Sequence, residues 1–242
     1  MGVGAGAAGT MTDFTAPPPV GVPDPRGDPA LLSLLGGPVQ AAARGLLGCL
    51  LSAGGVIVRL TEVEAYAGVG QDPASHAHRR RTPRNAPMFG PPGRAYVYFT
   101  YGMHWCLNVV CGPVGHASAV LLRAGEVVDG LEKARGRRPR VRDRDLVRGP
   151  ARLTTALGVD GSADGTSMLD GTGPLRLLAG SPVDSSRIST GPRVGVAVDH
   201  PWRFWIAGEP TVSPFRAYVP RRSRTRRNPE AGTSAGAEES AR

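Results

Sequence analysis

Val56-Ile57-Val58-Arg59-Leu60-Thr61-Glu62-Val63-Glu64-Ala65-Tyr66 is the stretch on which the fold turns. Aliphatic and β-branched residues dominate it, and their spacing predicts a strand rather than a helix. Ala53-Gly54-Gly55 separates it from a second apolar run over 46–52, so the two pair as a hairpin. The two-residue period places Val56, Val58, Leu60, Glu62 and Glu64 on one face. Two carboxylates that continue an apolar row have two readings. Either the strand emerges into solvent there, or a carboxylate sits in a partly dry cleft suited to general-base work.

Working outward, Asp28-Pro29 opens a short helix over 30–35, and Gly37-Pro38 starts a second over 39–44. Runs at 95–101 and 105–111 form another hairpin around Gly102, and 119–124 reads as a buried strand. Helices are expected over 126–135 and over Pro150–Leu157, the latter stopped by Gly158. A late strand pair is expected at 193–198 and 202–207. This order predicts a mixed α/β (α+β) fold: one domain with a curved antiparallel sheet, β-hairpins and packed helices.

The chain has 242 residues and a formal net charge of +9. Of its 29 basic residues all but Lys133 are arginine, the side chain of bidentate phosphate and carboxylate recognition. Codon usage is a competing source of that ratio. The segment 1–29 is net negative, and 221–242 holds six Arg against three Glu. Most of the positive charge therefore belongs to 30–220, while the Gly-, Ala-, Pro- and Arg-rich ends read as disordered tails, the second one basic. The segment 133–148, rich in arginine, reads as a surface loop between helices. No apolar run approaches the roughly 20 residues of a membrane helix. The start of the chain lacks the basic region of a secretory signal. Cys49, Cys106 and Cys111 do not make a disulfide framework, so reduced thiols in a cytoplasmic protein are expected.

Six of the 13 aromatic residues fall between 89 and 105. Strand packing accounts for Phe99 and Trp105. Tyr101, beside Gly102 at a hairpin tip, has little core to fill, and an aromatic at a turn of a basic protein fits a wedge entering a base stack. His76-Ala77-His78 could hold two metal ligands, but no third stands at sensible spacing, and no metal or other cofactor is expected. No phosphate-binding glycine loop follows a strand.

Together these segments resemble the 3-methyladenine (alkyladenine, or N-methylpurine) DNA glycosylase family. The motifs are Thr61-Glu62-Val63-Glu64-Ala65-Tyr66, His76, Thr82-Pro83-Arg84-Asn85, Met88-Phe89, Tyr96-Val97-Tyr98, Tyr101-Gly102-Met103 and Leu121-Leu122-Arg123-Ala124. Gly149-Pro150-Ala151-Arg152-Leu153, Arg193-Val194-Gly195-Val196 and Pro201-Trp202-Arg203-Phe204 extend the match. The resemblance implies a monofunctional glycosylase domain over 30–220, acting as a monomer on damaged double-stranded DNA, in the cytoplasm at the nucleoid and away from membranes. It implies Glu64 as the base that activates water, and Arg123 as the group that positions that water. It implies Tyr66, His76, Tyr98 and Asn108 around the flipped base, with His78 a competitor of His76. Tyr101 would fill the gap in the stack, and Arg84, Met103 and Arg152 would lie along the DNA backbone. His104 and His116 depart from the family pattern.

Residue chemistry agrees. A purine alkylated at N3 or N7 is cationic and leaves readily, so one carboxylate and one positioned water suffice. Electron-rich rings favour such a cation by about 1–2 kcal/mol. A lyase step through an imine needs an amine, and Lys133 lies in the arginine-rich run.

Overall fold

The computed structural model describes residues 28–220 and gives them a single α+β domain. In chain order the regular elements are α1 (Pro29–Gly36), α2 (Val39–Leu46), β1 (Leu50–Ala53), β2 (Val56–Tyr66), β3 (Ala95–Thr100), β4 (His104–Val110), β5 (Ala119–Asp129), α3 (Leu131–Arg137), α4 (Pro150–Leu157), β6 (Leu175–Leu178), β7 (Ile188–Gly191) and β8 (Arg203–Ile206). The strands form one eight-stranded antiparallel sheet in the order β3-β4-β5-β2-β1-β6, and the β7–β8 hairpin joins it through β2.

The course of β2 decides where the site falls. Gly54 and Gly55 both take positive φ, and the tight turn they make sets β1 against the first half of β2, with Ala53 opposite Val56 and Leu50 opposite Arg59. Along its other edge β2 pairs with β5, but the register slips around Leu60, Glu62 and Val63. Beyond that slip β1 has ended and β8 takes over its edge, placing Trp205 opposite Glu62 and Arg203 opposite Glu64. Such bulges bend a strand and re-aim its side chains. Gly125 is required at the bend, because a Cβ there would lie 2.4 Å from the Arg59 carbonyl oxygen.

Leu51, Val58, Leu60, Leu107, Leu122 and Leu157 head the main core, with α2 laid on β2, α4 on β4 and β5, and α3 on α4. A smaller apolar cluster gathers Ala77, Met88, Tyr96, Val110, Ala117 and Ala119 at the other end of the sheet. The three cysteines are free and buried. No described helix is long and apolar enough to cross a membrane.

Several boundaries differ from the expectations. Residues 126–129 continue β5 instead of starting a helix, because Val127 faces Val58 and Glu126 pairs with Arg59 at 2.8 Å. Gly130, at φ 74°, then breaks the strand, and α3 starts at Leu131. Residues 193–198 are not a strand, and β7 is the true partner of β8. The run 46–52 divides between the end of α2 and β1. The short β6 was not anticipated. Asp28 belongs to the fold and not to a tail: its carboxylate accepts from the Ala30 N–H at 2.8 Å and caps α1, with Pro29 in the first turn. The rest of the expected N-terminal tail, and the basic tail 221–242, lie outside the described residues.

Candidate active site

Glu62 and Glu64 are both buried, at 0% and 1% exposure, so the strand does not emerge into solvent. Their surroundings differ. Glu62 accepts four hydrogen bonds: from Arg123 Nε and Arg203 Nε at 2.8 Å, from Ser213 Oγ at 2.8 Å, and from the Ser213 N–H at 2.6 Å. Three of these fall on Oε1 and one on Oε2, so four donors converge on Glu62. Glu64 has fewer. Its Oε1 accepts from the Val194 N–H at 2.7 Å, while its Oε2 accepts from the Tyr66 hydroxyl at 2.9 Å and lies 3.2 Å from Arg123 Nη1. Oε1 therefore takes one donor and Oε2 faces two.

The electrostatics hold these groups in defined states. Burial disfavours charge on the Arg123 guanidinium, but the Glu64 and Glu62 carboxylates outweigh it and raise its pKa. Burial, then the Glu64 charge, keep the Tyr66 hydroxyl well above its ordinary pKa, so it remains a donor. Burial likewise raises Tyr96 and Tyr98.

Beside this acidic pair opens a cleft of about 90 Å³ whose wall includes Tyr66, His76, Tyr96, Tyr98, Asn108 and Val196. The strand pairing of β3 with β4 builds much of it, setting Tyr96 opposite Asn108, whose amide donates to the Tyr96 carbonyl at 3.0 Å. His76 is exposed at the mouth, with its Nδ1 2.8 Å from the Tyr96 hydroxyl and its ring edge-on to Tyr98 at 4.5 Å. Desolvation in the cleft, then the Arg84 charge, lower the His76 pKa. His78 does not line the cleft, and its buried Nδ1 has no partner among the described residues.

The loop carrying His76 is held by Asn85. Its amide donates to the carbonyls of His76 (2.9 Å) and Arg80 (3.0 Å), while Asn85 and Thr82 cap the 3₁₀ turn Pro83–Phe89 reciprocally.

Tyr101 stands at the tip of the β3–β4 hairpin, 79% exposed, at φ 52°. With Gly102 at φ 67° and the Met103 N–H bonded to the Thr100 carbonyl, the tip forms a type I′ turn. A tyrosine in the left-handed region costs about 1–2 kcal/mol. Among the described residues only Arg140 shares this condition outside glycine. Strain on an exposed, unpacked ring is characteristic of a functional position. Met103 is exposed next to it, its own N–H spent on the turn. Arg84 donates to the Phe99 carbonyl at 3.0 Å and lies 5.6 Å from the Tyr98 ring centroid, between hairpin and cleft. Arg152 projects into solvent from α4, with no carboxylate within ion-pair distance among the described residues. In the 133–148 segment many arginines are already paired: Arg135 with Glu132 and Asp143, Arg142 and Arg148 with Asp145. Among the described residues no group of three or more His, Cys, Asp or Glu is placed to hold a metal ion.

Four buried residues of the site carry no role that the sequence pattern assigns. Asp72 and Arg193, 121 positions apart, form a buried bidentate pair at 2.6 and 2.8 Å. No local pattern links them. Arg203 and Ser213, which fill Glu62, were equally unassigned.

A buried acid, an arginine paired with it and an aromatic cleft thus come together on the antiparallel sheet as one candidate site. Residues 33–210 match the family model described as methylpurine-DNA glycosylase (MPG), and the chain belongs to that family. Proteins named "putative 3-methyladenine DNA glycosylase" are similar throughout this region. The one from Streptomyces avermitilis is 57% identical over 197 residues, covering 78% of this chain and 92% of its own. Those from Frankia casuarinae (56%; 77% and 92% covered) and Nocardia farcinica (56%; 72% and 86% covered) are close behind.

Proposed function

We propose that this protein is a monofunctional 3-methyladenine-type DNA glycosylase. It acts as a monomer on double-stranded DNA in the cytoplasm, flips an alkylated purine into the aromatic cleft and hydrolyses its N-glycosidic bond. The observation that carries the mechanism is the difference between the two buried glutamates: four donors converge on Glu62, whereas Glu64 takes two hydrogen bonds and an ion pair to Arg123, and its Oε1 can accept a further bond. A water bonded there gives a proton to Glu64 as its oxygen forms the new bond to the anomeric carbon. The glycosidic electron pair leaves with the base and cancels the positive charge of its alkylated ring. Little acid assistance is needed, which fits a site whose two glutamates are both buried and paired.

The cleft supports the substrate class. Tyr66, Tyr98 and His76 offer stacking faces and edges to a flat cation, and Asn108 on the β4 wall crowds the position of a guanine 2-amino group. Tyr101 fills the vacated place in the duplex. Unstacking costs a few kcal/mol and less at a damaged pair, so flipping itself contributes selectivity.

Strand cleavage by a lyase step is not expected. Lys133, on α3, lies against Gly55 at the far end of β2 from Glu64. Nine residues of strand, each rising by up to about 3.3 Å, separate that end from Glu64.

The test is single-turnover release of 3-methyladenine from a duplex by Glu64→Gln protein. Loss of release by at least two orders of magnitude, with DNA binding retained, is expected. Release at the wild-type rate would remove Glu64 from the chemistry.

A further inference from the structure

One face of the Tyr66 ring is occupied by a cation. Arg193, 1% exposed, sets its guanidinium carbon 4.4 Å from the centroid of the Tyr66 ring and 5.4 Å from that of Trp202. A bare cation there would oppose the cleft's task, because it draws on the same π-electrons that must attract a cationic base and repels that base through the ring. The site balances it. Asp72, also fully buried, takes the guanidinium bidentate, and is the ion-pair partner of Arg193 among the described residues.

Asp72 is as fully engaged as Glu62. Besides Arg193 it accepts from the Ala67 N–H at 3.2 Å and the Ala74 N–H at 3.1 Å, and Arg193 also donates to the Ala65 carbonyl at 2.8 Å. The pair thus ties three parts of the site: the end of β2 with Tyr66, the turn that leads to His76, and the loop that brings the Val194 N–H to Glu64. Asp72 and the Ala65 carbonyl hold the guanidinium carbon 4.4 Å from the ring centroid.

We propose that Asp72 and Arg193 form an electrically neutral backing plate for Tyr66, and that the balance of their charges sets the preference of the cleft for cationic over neutral purine lesions. This rests on the glycosylase reading above and adds a specificity role to two positioning residues that do not touch the substrate. A role confined to holding the loops would affect every lesion alike, whereas charge imbalance discriminates between bases of one shape and different charge.

Equilibrium binding of the full chain to two duplexes separates these effects. One carries 7-methylguanine stabilised by a 2′-fluoro sugar, a cation; the other carries 7-methyl-7-deazaguanine, its neutral isostere; an unmodified duplex is the reference. The affinity ratio of cationic to neutral duplex should fall by roughly tenfold in Asp72→Asn, the scale of a unit-charge repulsion across one ring at an effective dielectric constant near 20. It should return to within about twofold of the wild type in Asp72→Asn/Arg193→Gln, where both charges are gone. Equal losses on both duplexes, or a double variant that keeps the altered ratio, would overturn the proposal. If Asp72→Asn does not fold, Arg193→Gln bears the same test with opposite sign: the unbalanced carboxylate raises the ratio, and an unchanged or lower ratio overturns the idea. A wild-type protein that prefers neither modified duplex over the unmodified one would overturn the base-pocket reading, and this inference with it.

Discussion

Arg123 donates its Nε to Glu62 at 2.8 Å, a shorter contact than the one its Nη1 makes with Glu64 at 3.2 Å. Glu62 holds Arg203 on the same oxygen, and Ser213 closes the cluster from the far end of the described chain. Arg123 is thereby left with Nη1 directed to Glu64 at 3.2 Å. Of the two acids on β2, Glu62 gathers four donors, and Glu64 has fewer bonds.

Glu62→Gln should therefore damage the fold before the chemistry. It keeps the shape but leaves two buried guanidinium groups without their shared carboxylate, a loss of about 3–5 kcal/mol. For a domain of this size that corresponds to a fall in Tm on the order of 10 °C. Glu64→Gln, which removes one charge from a site with fewer bonds, should melt within a few degrees of the wild type. Parallel thermal melts check this, and equal Tm values for wild type and Glu62→Gln would refute it.

At the hairpin tip the proposed function and stability should pull in opposite directions. Tyr101 takes a left-handed conformation that asparagine adopts at much lower cost, and Asn-Gly is the favoured sequence of a type I′ turn. Tyr101→Asn should raise stability by about 0.5–1 kcal/mol while lowering excision of a paired lesion by roughly tenfold or more. A denaturant melt and a single-turnover assay on the same preparation measure both. A variant that loses stability and keeps its rate would contradict the assignment of a wedge.

These relationships divide along the range of the interactions behind them. The β2 strand, the glycine turns and the exposed tip of Tyr101 were legible because each depends on residues within a few positions of one another. The same period placed Glu62 and Glu64 on one face. It could not say which acid was occupied, since Arg203 and Ser213 come from 141 and 151 positions away. The strand over 126–129 read as helix because Glu and Val suit either state locally, and pairing with Arg59 and Val58 decides it. Residues 193–198 read as strand from Val-Gly-Val-Ala-Val, whereas the buried bond of Arg193 to Asp72 pulls that segment out of the sheet.

The cleft should prefer neutral to slightly alkaline conditions for a cationic lesion. Desolvation, then the Arg84 charge, place the His76 pKa below its ordinary value near 6.5, so the ring is neutral at pH 7. As pH falls from about 6.5 the unfolded chain gains a proton that the folded one resists, which costs stability. Below its own lowered pKa His76 becomes cationic and repels the bound base. Arg84→Gln removes the second of these influences and raises the His76 pKa, so affinity for a cationic lesion should begin to fall at higher pH than in the wild type. NMR titration of the His76 ring alongside binding at several pH values checks this; a His76 pKa that drops in Arg84→Gln would have the wrong sign.

The arginines should separate by partner. Arg135 is held between Glu132 and Asp143, so its charge is already answered within the protein. Arg152 projects from α4 with no carboxylate within reach among the described residues, and Gly149, three positions before it, ties that helix to the Arg123 carbonyl at 3.0 Å. A phosphate of bound DNA can pair with Arg152 without breaking anything, whereas pairing with Arg135 must first displace two acids. Each phosphate contact contributes about 0.9 to the slope of log affinity against log salt. Arg152→Ala should reduce that slope by nearly one unit and weaken binding to damaged and undamaged duplexes alike. Arg135→Ala should leave it within about 0.3. Binding isotherms across a range of salt concentrations distinguish the two, and a larger change for Arg135→Ala would show that DNA is held by the 133–148 segment through arginines released from their acidic partners.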